Sequence, residues 1–133
     1  MSRWLVHILL PALLVTGCVS LPPERHVTSL AEIAGGWRFY FNPAGFTPNF
    51  RVEMNIGDDG TFRGRMVEDG TGGNEIRGTF RLDAGRLTWE ETFSHNRGSG
   101  VATLHDDGHR RVLRLIGARA IGGSVVWNLT PIQ

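Results

Sequence analysis

From Trp37 to Pro131 the chain alternates apolar and polar residues. Trp37, Phe39 and Phe41 fall on one parity, and Arg38, Tyr40 and Asn42 on the other. Phe50, Val52, Met54 and Ile56 alternate with Arg51, Glu53 and Asn55. Phe62, Gly64 and Met66 oppose Arg63 and Arg65, and Ile76, Gly78, Phe80 and Leu82 oppose Glu75, Arg77, Thr79 and Arg81. Leu87, Trp89, Glu91 and Phe93 share a parity against Arg86, Thr88, Glu90 and Thr92. A weaker strand spans 100–105, one apolar on both faces follows around Leu113 and Leu115, and Val125, Trp127 and Leu129 complete the series. Successive side chains of a strand point to opposite faces, so each run predicts a half-buried strand.

Turn chemistry separates the runs. Asp58-Asp59-Gly60, Asp69-Gly70, Asp83-Ala84-Gly85, Asp106-Asp107-Gly108 and Gly122-Gly123 supply residues that tolerate the positive φ angles of tight hairpins. Asn42–Asn49 and Ser94–Ser99 read as longer polar loops. About eight short strands joined in sequence predict an all-β antiparallel meander. An open sheet of that size leaves two raw edges, which closure removes. The predicted architecture is therefore a single up-and-down eight-stranded barrel, with a β-sandwich as the alternative. Its outward positions are arginine and glutamate, which excludes a membrane-spanning barrel with its apolar outer band.

The first residues are of another kind. Arg3 precedes an apolar run, Trp4–Val15, that is too short for a comfortable span and ends in small residues before Cys18. This predicts a signal peptide over 1–17, then a tether and a short helical turn over 18–34, then the barrel over 35–133. Val19–Thr28, with Pro22-Pro23, reads as the tether itself. Ser29 and Glu32 have the spacing of a capping box for the helical turn.

Val15-Thr16-Gly17-Cys18 resembles the lipobox of bacterial lipoproteins. The resemblance implies that Cys18 is lipidated and becomes the first residue of the mature chain. It implies a protein held to a bacterial membrane by its acyl chains, and, since Val19 rather than aspartate follows the cysteine, one held in a Gram-negative host to the outer membrane at the periplasmic face. Cys18 is the only cysteine in the chain, so no internal disulfide is open to it. Gly35-Gly36-Trp37 after a short helical turn resembles the opening of lipocalins and other calycin-like barrels, whose tryptophan plugs the closed end. Ser29–Trp37 is also similar to the start of small bacterial β-barrel inhibitors of secreted metalloproteases.

Composition narrows the function classes. A net charge of +1 gives no field for nucleic acid. All 14 basic residues are arginine, and six of them sit at alternate positions on predicted strands, as a solvated face requires. No nucleophile stands with a base partner, and phosphate-loop and paired-cysteine motifs are absent from the sequence, so an enzyme is not expected. No cofactor or metal is expected either: His105 and His109 flank Asp106-Asp107-Gly108, a spacing that reads first as a solvated turn. Trp37, Phe39, Phe62, Phe80, Trp89 and Trp127 point inward as candidate ligand-binding residues. Glu91 is inward by the same parity, and a buried carboxylate needs a partner. Arg111, on the parity of Leu113 and Leu115, is the predicted one. Inward Gly64, Gly78 and Gly100 predict either lumen space or bent strands. The sequence thus points to a binding module that holds a small hydrophobic ligand inside the barrel. The alternative is an envelope protein partner held by the loops, as for a hydrolase inhibitor, an immunity protein or an assembly factor.

Overall fold

The structure is a computed structural model and describes residues 22–41, 50–68 and 73–133. The strands are β1 (Glu24–His26), β2 (Gly35–Phe41), β3 (Phe50–Ile56), β4 (Thr61–Glu68), β5 (Asn74–Asp83), β6 (Arg86–Glu91), β7 (Arg97–Asp106), β8 (Arg111–Arg119) and β9 (Ser124–Pro131). A 3-10 turn, Leu30–Ile33, precedes β2. From β2 to β9 each strand pairs antiparallel with the next, and β9 returns to pair with β2. The eight strands therefore form the closed up-and-down barrel that the alternation predicts. Residues 1–21, with Cys18, the whole β2–β3 loop (residues 42–49) and the tip of the β4–β5 turn (residues 69–72) lie outside the described residues.

The register follows the apolar parity. Trp37 faces Met54 and Phe39 faces Val52 across β2–β3, and Phe80 faces Trp89 across β5–β6. One continuous core results, with Trp37, Ile56, Leu87, Trp89, Leu104, Leu113 and Leu115 almost fully buried. Each such side chain contributes roughly 1.5–3 kcal/mol of transfer free energy. The opposite parity carries ion pairs instead, such as Arg38 to Glu53 at 2.7 Å. The β5–β6 hairpin turns on Ala84 and Gly85, both at positive φ, as a two-residue hairpin with matched strand twist requires.

Of the predicted inward glycines, Gly64 and Gly100 lie against neighbouring backbone, and Gly78, together with Gly98, lies against a ring. A Cβ built on Gly78 would lie 2.5 Å from Phe62 Cζ, and one on Gly98 would lie 2.4 Å from Trp89 Cζ2. The aromatic side chains of adjacent strands thus cross directly over glycine backbone. This lets Phe62 and Phe80 pack at 4.8 Å, and lets Trp127 contact both Phe39 at 5.1 Å and Trp89 at 4.8 Å.

The described part of the expected tether is docked, not free. Residues 22–28 lie against the barrel wall. β1 pairs antiparallel with β7 through Glu24–His105, Arg25–Leu104 and His26–Thr103. Val27 is buried and its N–H donates to Ala102. The Pro23 carbonyl accepts from Asp106 N–H, and the Pro22 carbonyl lies 3.0 Å from His105 Nδ1. β1 occupies the flank of β7 that β6 leaves open, since β6 begins only opposite Val101.

The capping box is also rearranged. Ser29 caps nothing with its side chain. Glu32 instead reaches back to the N–H of Thr28 at 2.8 Å and pairs with Arg25 at 2.7 Å. The Thr28 hydrogen bond, with Arg25 in support, holds the Glu32 carboxyl below its ordinary value of 4.5.

Candidate functional site: the open end of the barrel

The two ends of the barrel are built differently. At one end lie the β3–β4, β5–β6 and β7–β8 turns, the 3-10 turn and β1. Leu30 packs against the core there and Ile33 is fully buried. Trp37, 1% exposed, donates its indole N–H to the Ile33 carbonyl at 2.7 Å. Arg111 spans the same place: its guanidinium sits over the Trp37 ring, and Nη2 donates to the Glu32 carbonyl. A second oxygen, Asp106 Oδ2, lies 3.6 Å from Nε. This end is closed, with the tryptophan as its plug.

At the other end β2, β4, β6 and β8 finish, and among the described residues the β6–β7 and β8–β9 connections bound it. Phe39, Val52, Met54, Phe62, Phe80, Trp89 and Trp127 form an apolar shaft that leads to it. Met66 and Ile76 flank the shaft near the opening, and Glu91, Asn96 and Arg119 supply its polar groups. The space between these side chains is a cavity of about 50 Å³. That is room for a water or two or the end of a side chain, against the roughly 300–1,000 Å³ of a drug-sized ligand pocket.

A hydrogen-bond chain shapes the rim. Glu91 N–H donates to the Asn96 carbonyl at 3.0 Å, which ends β6 and closes the β6–β7 loop. The Glu91 carboxylate accepts from Ser94 Oγ and, at 3.0 Å, from Asn96 Nδ2. Asn96 Oδ1 in turn lies 3.4 Å from Trp89 Nε1. Arg119 comes from the far end of the same inward face of β8 that starts with Arg111. Its Nε is buried and has no hydrogen-bond acceptor among the described residues.

Six of the eight candidate ligand-binding residues line this one cavity: Phe39, Phe62, Phe80, Trp89, Glu91 and Trp127. Trp37 and Arg111 do not, because they belong to the closed end. The expected Glu91–Arg111 pair is therefore corrected. The two residues sit at opposite ends of the barrel, and Glu91 is satisfied by its own loop. Phe93 also departs from its parity. The chain turns after Glu91, and Phe93 is 82% exposed. Ile121, in the β8–β9 turn, is 78% exposed at the same end. That turn is tied to β7 by Ala120 N–H to the Arg97 carbonyl at 2.9 Å. The rim thus presents two large apolar side chains on neighbouring loops. Arg119 was missed from the sequence, although its inward parity on β8 equals that of Arg111. Of the two histidines, His105 is buried beside Pro22 and His109 is exposed.

Comparison with protein-family models, with curated proteins and with solved structures finds no match.

Proposed function

We propose that this chain is a lipid-anchored protein of a bacterial envelope, held through Cys18 at the periplasmic face of the outer membrane. Its barrel is a binding module without catalysis, and it works from its open end. The observation that carries the binding mode is the cavity of about 50 Å³ lined by Glu91, Asn96 and Arg119 at the end of the barrel whose β6–β7 and β8–β9 connections carry exposed Phe93 and Ile121. A protein partner covers the apolar rim and inserts one small apolar side chain into the mouth. Glu91, Asn96 and Arg119 offer that partner hydrogen bonds around the insertion point. Large aromatic side chains at a rim are the usual anchors of such contacts.

An enclosed hydrophobic ligand is the second reading. It is supported by the convergence of Phe39, Phe62, Phe80, Trp89 and Trp127 on one shaft. It requires those rings to move apart, since a lipid tail exceeds the present volume.

Native mass spectrometry of the purified full-length protein separates the two readings. The protein-binding reading expects the bare polypeptide mass plus its acyl modification. A further bound mass that leaves on mild activation would favour the ligand reading. Photo-crosslinking in cells supplies the positive arm. A crosslinker at Phe93 should capture a protein that one at Val126, exposed on the outer wall, does not. Equal capture at both positions would sink the open-end assignment.

A further inference from the structure

We infer that the open end faces away from the anchoring membrane, so that its partner is reached through the aqueous space and not from the lipid surface. The inference rests on the lipidation of Cys18 proposed above, and on the docking of β1.

The argument is one of length. Pro22 is already fixed to the barrel: it is buried, its carbonyl lies at 3.0 Å from His105, and the next carbonyl accepts from Asp106. These contacts place it beside the β7–β8 turn, at the closed end. Between Cys18 and Pro22 stand Val19, Ser20 and Leu21. Four Cα steps reach about 14 Å however extended they are. The open end lies further off. From His105 to Arg97 β7 climbs eight residues, about 26 Å along the strand, or about 20 Å along the axis at the usual strand tilt. With its mouth on the bilayer the barrel would hold Pro22 at that height, beyond the reach of the leash. Orientations that keep the closed end nearer the bilayer remain allowed, and the inverted one is excluded. Had residues 22–28 been free, as the sequence suggests, the leash would have reached the mouth.

The closed end does not adhere to anionic headgroups by charge. Its three turns carry Asp58, Asp59, Asp83, Asp106 and Asp107 against Arg86 and Arg110. Asp59 and Asp107 are held as carboxylates by hydrogen bonds within their own turns, Asp59 from the Thr61 hydroxyl and N–H, and Asp107 from the Arg110 and His109 N–H groups. Proximity to the bilayer is thus imposed by the leash.

Fluorescence energy transfer to headgroup-labelled lipids tests this. Cys18 is the sole native thiol, so once it is acylated an introduced cysteine can be labelled alone. The lipidated full chain, carrying His109→Cys or Ile121→Cys, is reconstituted in phosphatidylethanolamine–phosphatidylglycerol vesicles. Transfer should be higher from position 109 than from 121. A flexible Gly-Ser insertion of a dozen residues between Leu21 and Pro22 should abolish the difference. Equal transfer from both sites, a reversed order, or a difference that survives the insertion would overturn the inference while leaving the anchor in place. The mass of the N-terminal peptide is measured on the same samples. If it carries no acyl chain, the anchoring reading fails, and the inference falls with it.

Discussion

The guanidinium carbon of Arg111 lies 5.3 Å from the centroid of the Trp37 ring, and Nη2 of the same side chain donates to the Glu32 carbonyl. One residue of β8 thereby clamps the first barrel strand and the 3-10 turn before it. The interaction is half-buried, so both its ring contact and its charged hydrogen bond are worth more than on an open surface. Arg111→Ala should cost about 2–4 kcal/mol in urea unfolding. Arg111→Lys keeps the charge but not the planar fork, and should recover only part of it. A loss below 0.5 kcal/mol, as at an ordinary surface site, would refute the clamp.

Glu91 and Arg111 belong to opposite ends of the barrel, which makes a double-mutant cycle decisive. Glu91→Ala removes the acceptor for Ser94 and Asn96 and should cost about 1–2 kcal/mol. Combined with Arg111→Ala, the two losses should add to within about 0.5 kcal/mol. A coupling above 1 kcal/mol would mean that they interact after all.

The close crossing of Phe62 over Gly78 has a steric consequence. A methyl group at Gly78 would meet the Glu90 carbonyl oxygen at 2.2 Å as well as the Phe62 ring. The backbone cannot yield cheaply, so Gly78→Ala should destabilise by about 1–3 kcal/mol or more. Gly36→Ala is the control. There the nearest atom is Ile132 Cβ at 3.5 Å, an ordinary contact, and φ is not positive. Thermal unfolding of the two variants should separate them clearly, and equal melting temperatures would argue against the packing described here.

The docking of residues 22–28 should weaken in acid. Glu32 has its pKa lowered in the folded protein, first by the Thr28 N–H and further by Arg25. Its contribution is therefore full above the ordinary value of 4.5 and disappears as pH falls through the lower folded value. Hydrogen exchange at Val27 N–H, which bonds Ala102, reports the docking directly. Protection there should fall across that interval in the native chain. In Glu32→Gln it should be lower at neutral pH and show no such step.

Most of the barrel was legible because its strands are amphipathic. Where one face meets the core and the other water, parity fixes both register and inward residues, and Glu91 was correctly placed inward on that basis alone. Parity failed where the strand itself ended. Parity alone places Phe93 inward, because nothing in the sequence announces that Glu91 N–H bonds to the Asn96 carbonyl and that the chain turns two residues early. β1 was illegible for a different reason. All three of its side chains are exposed, so it docks through backbone hydrogen bonds that leave no hydrophobic signature, and Pro22-Pro23 pointed to a free tether. The partner of Glu91 was misassigned because parity says that a residue faces inward but not at which height along the barrel. Arg111 and Arg119 share one face of β8 and differ only in height.

Closure of the barrel brings Trp37 beside Pro131 and Arg38 beside Thr130, with Ile132 N–H donating to the Gly36 carbonyl. These contacts join strands from opposite ends of the domain, so they cannot form until nearly the whole chain is present. Topologies that depend on such distant pairings fold slowly. A polypeptide delivered N-terminus first would therefore wait for β9 as an unclosed ribbon, open to proteases and chaperones. The interval between delivery of β2 and delivery of β9 is the period in which quality control can act on this protein.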